Sequence, residues 1–241
     1  MNAPGKFYGI GVGPGDPELI TRKAARILAE VDWIFLPSTT PSGDGFAYKI
    51  VESLHLDPAK FRPVSMCMSR QRATDLDAYG RAAEDIFVEL RRGKSAAWIT
   101  EGDPLFYSTF VHVWTALCNR DPGIEIEIVP GITSIQAAAA CAAVPIAKLE
   151  ERVAVVPAAY GLNHLPELLE EFAIVFLLKV HGVFDQLLDR LALLPQPLQT
   201  FYVEKVGTSE QRIVSDLTTL RGERLPYFSL VILRRDQGRA S

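Results

Sequence analysis

The amino-acid sequence predicts an α/β fold arranged as two α/β domains, and three observations carry that expectation. Strand-length apolar runs recur from Lys6 to Leu233, with helical periodicity between many of them. Three of these runs end in glycine- or proline-rich turns that open directly into a helical pattern. The length, 241 residues with 48% hydrophobic and 22% charged side chains, is enough for one large domain or two of about 120 residues.

The elements follow in order. Lys6 to Val12 reads as a strand running into a glycine-rich turn. Pro17 to Ala29 follows as a helix, because Leu19, Ile20, Ala24, Ile27 and Leu28 recur at helical spacing. Trp33 to Leu36 is a short strand that stops at Pro37, and 38–45 is a loop rich in Ser, Thr, Pro and Gly. Phe46 to Leu54 is helical. Asp75 to Arg92 is a long amphipathic helix with Leu76, Tyr79, Ala83, Ile86, Phe87 and Leu90 on one face, stopped by Gly93. Ser95 to Thr100 is a strand and Ser108 to Cys118 a helix. The Asn119-Arg120-Asp121-Pro122-Gly123 turn is the expected boundary, giving domains 1–120 and 121–241. The strand Ile124 to Val129 falls to either side of it. Beyond lie a helix at 132–143, strands at 153–156, 173–178, 200–203 and 228–233, and helices at 165–171 and 183–194. This alternation predicts mainly parallel sheets.

Composition excludes several classes of protein. A chain this apolar buries enough surface to offset its ordering entropy, so disorder is not its main state. The formal net charge of -4 gives no electrostatic support to nucleic-acid binding. No stretch approaches the roughly 20 apolar residues of a membrane span, and the first residues lack the basic-then-apolar order of a secretory signal. The cytosol is the expected compartment. Cys67, Cys118 and Cys141 are scattered, with no CxxC and no histidine at ligand spacing, so neither a disulfide framework nor a metal site is expected.

The three strand-end turns carry the functional signal. The first is Gly9-Ile-Gly11-Val-Gly13-Pro14-Gly15-Asp16-Pro17. A GxGxxG dinucleotide fingerprint fails at Pro14 or Asp16, depending on where the count starts, and no Gly-Lys-Ser/Thr marks a phosphate loop. A nucleotide-binding GxGxG would want an acidic residue closing the second strand, yet Asp32 precedes that strand. The second turn, Thr100 to Thr109, holds Gly102 and Asp103, a potential acceptor for hydroxyl or amino groups. Open α/β sheets bind ligands at such strand ends. Ser108 or Thr109 could equally cap the following helix, and Asp103 could simply form the turn. The third turn, Val129-Pro130-Gly131-Ile132-Thr133-Ser134, repeats the pattern. Each alone is explained by turn formation and capping; together they imply a cleft lined by backbone groups and small polar side chains.

These residues resemble the tetrapyrrole methylases. The segments KFYGIGVGPGDPELIT (6–21), EGDPLFYSTF (101–110) and VPGITS (129–134) occur in that family's order and spacing. Glu204-Lys-Val-Gly207-Thr208-Ser-Glu-Gln211 resembles its C-terminal E…GT…Q element. The likeness spans about 6–233 and is strongest to the branch that methylates C20 of precorrin-2 or its cobalt-bearing counterpart, cobalt-factor II. The resemblance implies two α/β domains with a cofactor cleft between them, S-adenosylmethionine as cofactor, a tetrapyrrole substrate and a homodimer. Carried over position by position, the cofactor contacts are Pro14, Gly102, Asp103, Phe106, Thr133, Ser134, Lys179, Val180, Gly207 and Thr208. The segment FLLKVHG around Lys179 and Val180 departs from the family's usual Met-Gly, and Pro37-Ser-Thr-Thr40 lacks the aspartate that uroporphyrinogen-III methylases carry there.

The implied chemistry adds further candidates. Methylation of an electron-rich ring carbon leaves a proton to be removed, by water or by a weak base. Tyr107 is the named catalytic candidate, with Glu101, His181 and Tyr48 beside it on residue type alone. A carboxylate-rimmed substrate needs positive charge from an acidic protein. Arg62, Arg70 and Arg72, beside Met66, Cys67 and Met68, are the expected substrate contacts, with Lys49, Arg22 and Arg81 next. A solvated loop with incidental charge is the plain alternative for that segment.

Overall fold

A computed structural model describes residues 5–38, 45–65, 72–195 and 197–235, with only the backbone for 72–76. The chain divides into two compact units, Met1–Thr133 and Ser134–Ser241.

The first unit contains β1 (Phe7–Gly11), α1 (Arg22–Glu30), β2 (Trp33–Ser38), α2 (Phe46–Val51), β3 (Phe61–Ser65), α3 (Arg72–Arg91), β4 (Ala96–Thr100), α4 (Phe110–Arg120) and β5 (Ile126–Val129). Its five strands are all parallel, in the order β3-β2-β4-β1-β5. A parallel sheet needs both faces covered, and the period of two in each strand supplies them. Ile10, Ile34, Leu36, Ala97 and Ile99 face one core, with Ala24, Ile27 and Leu28 of α1 and Ile50 of α2. Phe7, Phe35 and Trp98 face the other, with Tyr79, Ile86 and Leu90 of α3 and Phe110, Val113 and Leu117 of α4.

The second unit contains α5 (Ser134–Cys141), β6 (Val153–Pro157), α6 (Ala158–Gly161), α7 (Leu165–Glu171), β7 (Ile174–Leu178), α8 (Phe184–Leu191), β8 (Leu198–Glu204), β9 (Arg212–Val214) and β10 (Ser229–Arg235). Its sheet runs β6-β7-β10-β8-β9. Only β6 and β7 pair in parallel; β10 is antiparallel to β7 and β8, and β8 to β9. Val175, Leu177, Tyr202, Val231 and Leu233 build a core with Leu165 and Leu169 of α7 and Leu187 and Leu188 of α8.

Four expectations are corrected here. The second sheet is mainly antiparallel, because the chain from β8 to β10 contains no α-helix to carry a parallel crossover. The boundary falls after residue 133 and not at 120, because β5 pairs with β1 in register from Phe7↔Ile126 to Ile10↔Val129. The helix expected at 17–29 is two pieces. Pro17–Leu19 forms a single 3-10 turn, Ile20 is extended, and the Thr21 hydroxyl accepts from Ala24 N–H at 3.1 Å to start α1 afresh. Finally, Phe61–Ser65, the first part of which overlaps the basic segment from Arg62 to Arg72 and to which the sequence assigns no element, is the edge strand β3.

Candidate functional site

The parallel sheet of the first unit sends the three glycine-containing turns to one end, since β1, β4 and β5 all finish there. The turns pack backbone against backbone. A Cβ on Gly131 would sit 2.0 Å from the Gly102 carbonyl oxygen, and one on Gly11 would lie 2.4 Å from the same oxygen. No side chain fits at either position. The first and second turns are joined by an isolated bridge, Gly102 N–H donating to Gly13 C=O at 2.8 Å. Gly102 adopts φ +65°, the left-handed region that glycine enters without steric cost.

Asp103 locks the arrangement. One carboxylate oxygen accepts from Leu105 N–H at 2.9 Å within its own turn, and the other from Gly131 N–H at 3.1 Å in the third turn. The residue sits where sequence reading placed it, and its two oxygens are already engaged with backbone amides. Ser108 resolves the capping question: its hydroxyl donates to Thr100 Oγ1 at 3.0 Å and accepts from Phe110 N–H at 3.1 Å, at the start of α4. Pro14 is buried within the first turn, and Thr133 lies beside Gly102 in the third. Phe106 is half-buried, with its ring edge against Tyr107 at 5.0 Å. Tyr107 is exposed and held at φ +53°.

Glu101 was a candidate on residue type alone, and the structure gives it an environment. It follows the last residue of β4, just before Gly102, and is half-buried. Burial pushes its proton affinity up, while the backbone N–H groups of Ala47 and of Glu101 itself pull the other way. Tyr48, on α2, packs its ring edge-on against Phe61 at 5.0 Å.

The basic candidates separate by position. Arg62 is the second residue of β3, level with Phe35 and Trp98 in mid-sheet, and its side chain runs back toward Trp33 at the end opposite the turns. Its guanidinium stacks 3.8 Å over the Trp33 ring and donates to the carbonyls of Ala59 and Phe61 at 2.8 and 2.9 Å. The structure thus gives Arg62 a local packing role. Asp32 is at that same end, bound to Lys94 and Ser95, which is why it fails as a ribose acceptor. Arg70 and the Met66-Cys67-Met68 run lie outside the described residues, as does the side chain of Arg72, whose backbone opens α3. Arg22 at the start of α1 and Lys49 in α2 are exposed on helices that follow the carboxyl ends of β1 and β2; Arg81 is exposed on α3.

In the second unit, the remaining predicted contacts gather at one end of its sheet. Lys179 follows β7, adopts φ +57°, and its backbone N–H reaches the Ser229 carbonyl at 3.1 Å. Val180 is completely buried in the core, which leaves only its backbone for ligand contact. His181 is exposed, with its ring 5.3 Å from that of Tyr227. Gly207, at φ +79°, donates its N–H to Gln211 Oε1 at 2.8 Å, and the Thr208 hydroxyl donates to the Lys205 carbonyl at 2.8 Å. Sequence reading quoted Gln211 in the motif without giving it a role. Here it holds the loop and also accepts from Cys141 Sγ, at 3.4 Å, near the end of the helix that Ser134 begins. Glu204, the first residue of that motif, is held by Arg212 at 3.1 and 3.3 Å and by the Tyr202 hydroxyl.

The donor set suits a neutral, hydrogen-bonding ligand such as a nucleoside or amino acid: backbone amides, hydroxyls and close-packed glycines. Among the described residues, no three His, Cys, Asp or Glu side chains gather as a metal site, and no helix is long and apolar enough to cross a membrane.

Comparison with known proteins fits this geometry. The precorrin-2 C(20)-methyltransferase of a Sinorhizobium species is 30% identical over 239 residues, covering 95% of both chains. The cobalt-precorrin-2 C(20)-methyltransferase of Salmonella typhimurium is 31% identical over 245 residues, covering 96% of this chain and 97% of the relative. The cobalamin biosynthesis protein CobIJ of Mycobacterium tuberculosis is 32% identical, but this chain spans only 48% of its length. Among solved structures, a uroporphyrin-III C-methyltransferase from Thermus thermophilus, complexed with S-adenosylhomocysteine, superposes with a TM-score of 0.66 at 23% identity, covering 95% of this chain and 97% of that one, which shows a shared fold. The model of the tetrapyrrole (corrin/porphyrin) methylases matches residues 6–221, from the first strand through the last of the four motifs, and the chain belongs to that family.

Proposed function

We propose that this protein is an S-adenosylmethionine-dependent C-methyltransferase acting on C20 of precorrin-2 or of its cobalt-bearing form, in cobalamin biosynthesis in the cytosol. The observation that supports it most is the end-to-end similarity to C20-methyltransferases of both kinds, which covers the turns as well as the scaffold.

When bound, S-adenosylmethionine supplies an electrophilic methyl group on a sulfonium. The residues proposed to hold it are Pro14, Gly102, Asp103, Phe106 and Thr133, with Ser134, Lys179, Val180, Gly207 and Thr208 from the second unit. Their share of the work is positioning, because the displaced thioether is neutral and needs no acid. Asp103 acts by fixing two turns in register. The backbone groups of those turns present donors and acceptors at fixed positions, and Phe106 offers an apolar face. A tetrapyrrole with carboxylate side chains is to be met by Arg22 and Lys49, exposed basic residues on the helices that follow the carboxyl ends of β1 and β2. Each lacks a carboxylate partner among the described residues.

Purified protein with S-adenosylmethionine and either precorrin-2 or cobalt-precorrin-2 should give a product one methyl heavier, with an altered visible spectrum. The ratio of the two rates assigns the metal state of the substrate. Binding of S-adenosylhomocysteine with no methylation of either tetrapyrrole would overturn the assignment and favour a protein that only senses the cofactor.

A further inference from the structure

In the second unit, two aromatic rings stand in solvent beside a lysine that has no anion. Tyr227 and Phe228 lie just before β10 and remain 44% and 39% exposed. Because β10 is antiparallel to β7 and β8, its amino end sits beside their carboxyl ends, where Lys179 and the Gly207–Thr208 loop also lie. Four consecutive carbonyls fix the segment there. Pro226 C=O accepts from the Ser229 hydroxyl at 2.7 Å, and Tyr227 C=O from Ser229 N–H at 2.9 Å. Phe228 C=O accepts from Lys205 N–H at 2.9 Å, and Ser229 C=O from Lys179 N–H at 3.1 Å. Both lysines adopt left-handed backbone, at φ +46° and +57°, a conformation that persists only where surrounding contacts hold it. The backbone that carries the two rings is therefore pinned from both neighbouring strands.

The side chains around Tyr227 make a mixed apolar and basic surface. The Phe228 ring meets it edge-on at 5.3 Å, the His181 ring lies at 5.3 Å, and the Lys179 ammonium stands 5.8 Å over its face. Lys179 and His181 are exposed and make no ion pair among the described residues. The carboxylates of the adjoining motif are already taken, Glu204 by Arg212 and Glu210 by Lys205. We propose that Tyr227, Phe228, Lys179 and His181 form a platform that recognises the tetrapyrrole. Tyr227 and Phe228 pack against its ring system, and Lys179 and His181 donate to its carboxylate side chains. The proposal rests on the function proposed above and gives the second unit a share in substrate binding. Charge complementarity favours this ligand, since a neutral nucleoside could use the rings but has no anion for the ammonium. The pinned backbone keeps the ordering cost of binding low.

The competing role is structural: rings that only cover the start of β10. Two variants at exposed positions separate the readings. Tyr227→Leu keeps apolar bulk and removes the aromatic face; Lys179→Gln keeps the stem and removes the charge. Tyr227→Leu should raise the tetrapyrrole KM about 2–10-fold, with little dependence on salt, and leave kcat as it is. Calorimetry on the same variant should show unchanged affinity for S-adenosylhomocysteine. Lys179→Gln should raise the KM about 2–5-fold at low salt, an effect that shrinks as salt is added. Lys179→Arg, which restores the charge, should bring the KM back. Wild-type KM values in both folded variants overturn the platform and leave the methyltransferase assignment standing. Weakened S-adenosylhomocysteine binding in Tyr227→Leu with an unchanged tetrapyrrole KM also overturns it, and gives the rings to the cofactor. A wild type that methylates neither precorrin-2 nor its cobalt form overturns the function itself, and the platform with it.

Discussion

Asp103 shows how a single side chain can be located from sequence while its task stays open between turn formation and ligand contact. A carboxylate after glycine at a strand end looks available to a ligand; in the fold, both its oxygens serve backbone amides. Asp103→Ala should therefore destabilise the first unit by about 0.5–1.5 kcal/mol, the net range for a hydrogen bond whose donor water can still reach. Affinity for S-adenosylhomocysteine should fall along with it. Unfolding and calorimetry on one preparation check this, and a stable variant with weakened binding would restore the direct-contact reading. Arg62 has a local setting that its charge does not reveal. Charge type says nothing about which way a side chain runs, and that of Arg62 runs back to stack on Trp33, at the end opposite the turns. Arg62→Ala should leave the tetrapyrrole KM unchanged. Arg22→Ala combined with Lys49→Ala should raise it several-fold at low salt, because each exposed pair contributes only about 0.2–1 kcal/mol. The increase should shrink as salt is added. Equal KM values for the double variant and wild type would remove both residues from the substrate site.

At the scale of elements, β10 offers the sharpest test. Arg234 in that strand is nearly buried and meets the carboxylate of Glu151 at 2.7 and 2.8 Å, while also donating to the Pro145 carbonyl at 2.8 Å. Removing Glu151 leaves a buried guanidinium without its anion, so Glu151→Ala should cost about 3–5 kcal/mol. The Arg234 guanidinium holds the Glu151 carboxyl below the ordinary carboxylate range. A depressed folded-state pKa means that the native state binds the proton less tightly than the unfolded chain. The stabilisation is therefore complete above the ordinary carboxylate range and is lost as pH falls through and below it. Urea midpoints from pH 7 to 3 should decline in wild type by more than in Glu151→Ala; parallel declines would refute the coupling. Elements were legible where hydrophobic period and punctuation agreed, as at 7–11, 165–171 and 174–178. They were not legible where one cap decided. Thr21 restarts a helix that the apolar spacing alone runs through. Short edge strands such as 61–65 and 212–214 carry too little buried surface to show a period, and Pro63 hides the first of them.

For the whole molecule, the parallel sheet of the first unit could be read because every connection in it carries a helix or a long crossover. The second sheet could not, because strand direction there is set by pairings between residues far apart in sequence, such as Ile232 with Phe176. The proposed homodimer is a whole-molecule prediction. Sedimentation at micromolar concentration should give twice the chain mass, and a monomer that persists on concentration would contradict it. One feature of the second sheet reaches into how the protein is made. Its last strand in sequence, β10, is its central one, flanked by β7 and β8 along its length. On the ribosome, the first unit can close its sheet while synthesis continues. The second must wait, with β7 and β8 each lacking a neighbour, until residues 229–235 have left the exit tunnel. A nascent chain stalled before that point would expose two apolar strand edges, and it is there that a chaperone would be needed.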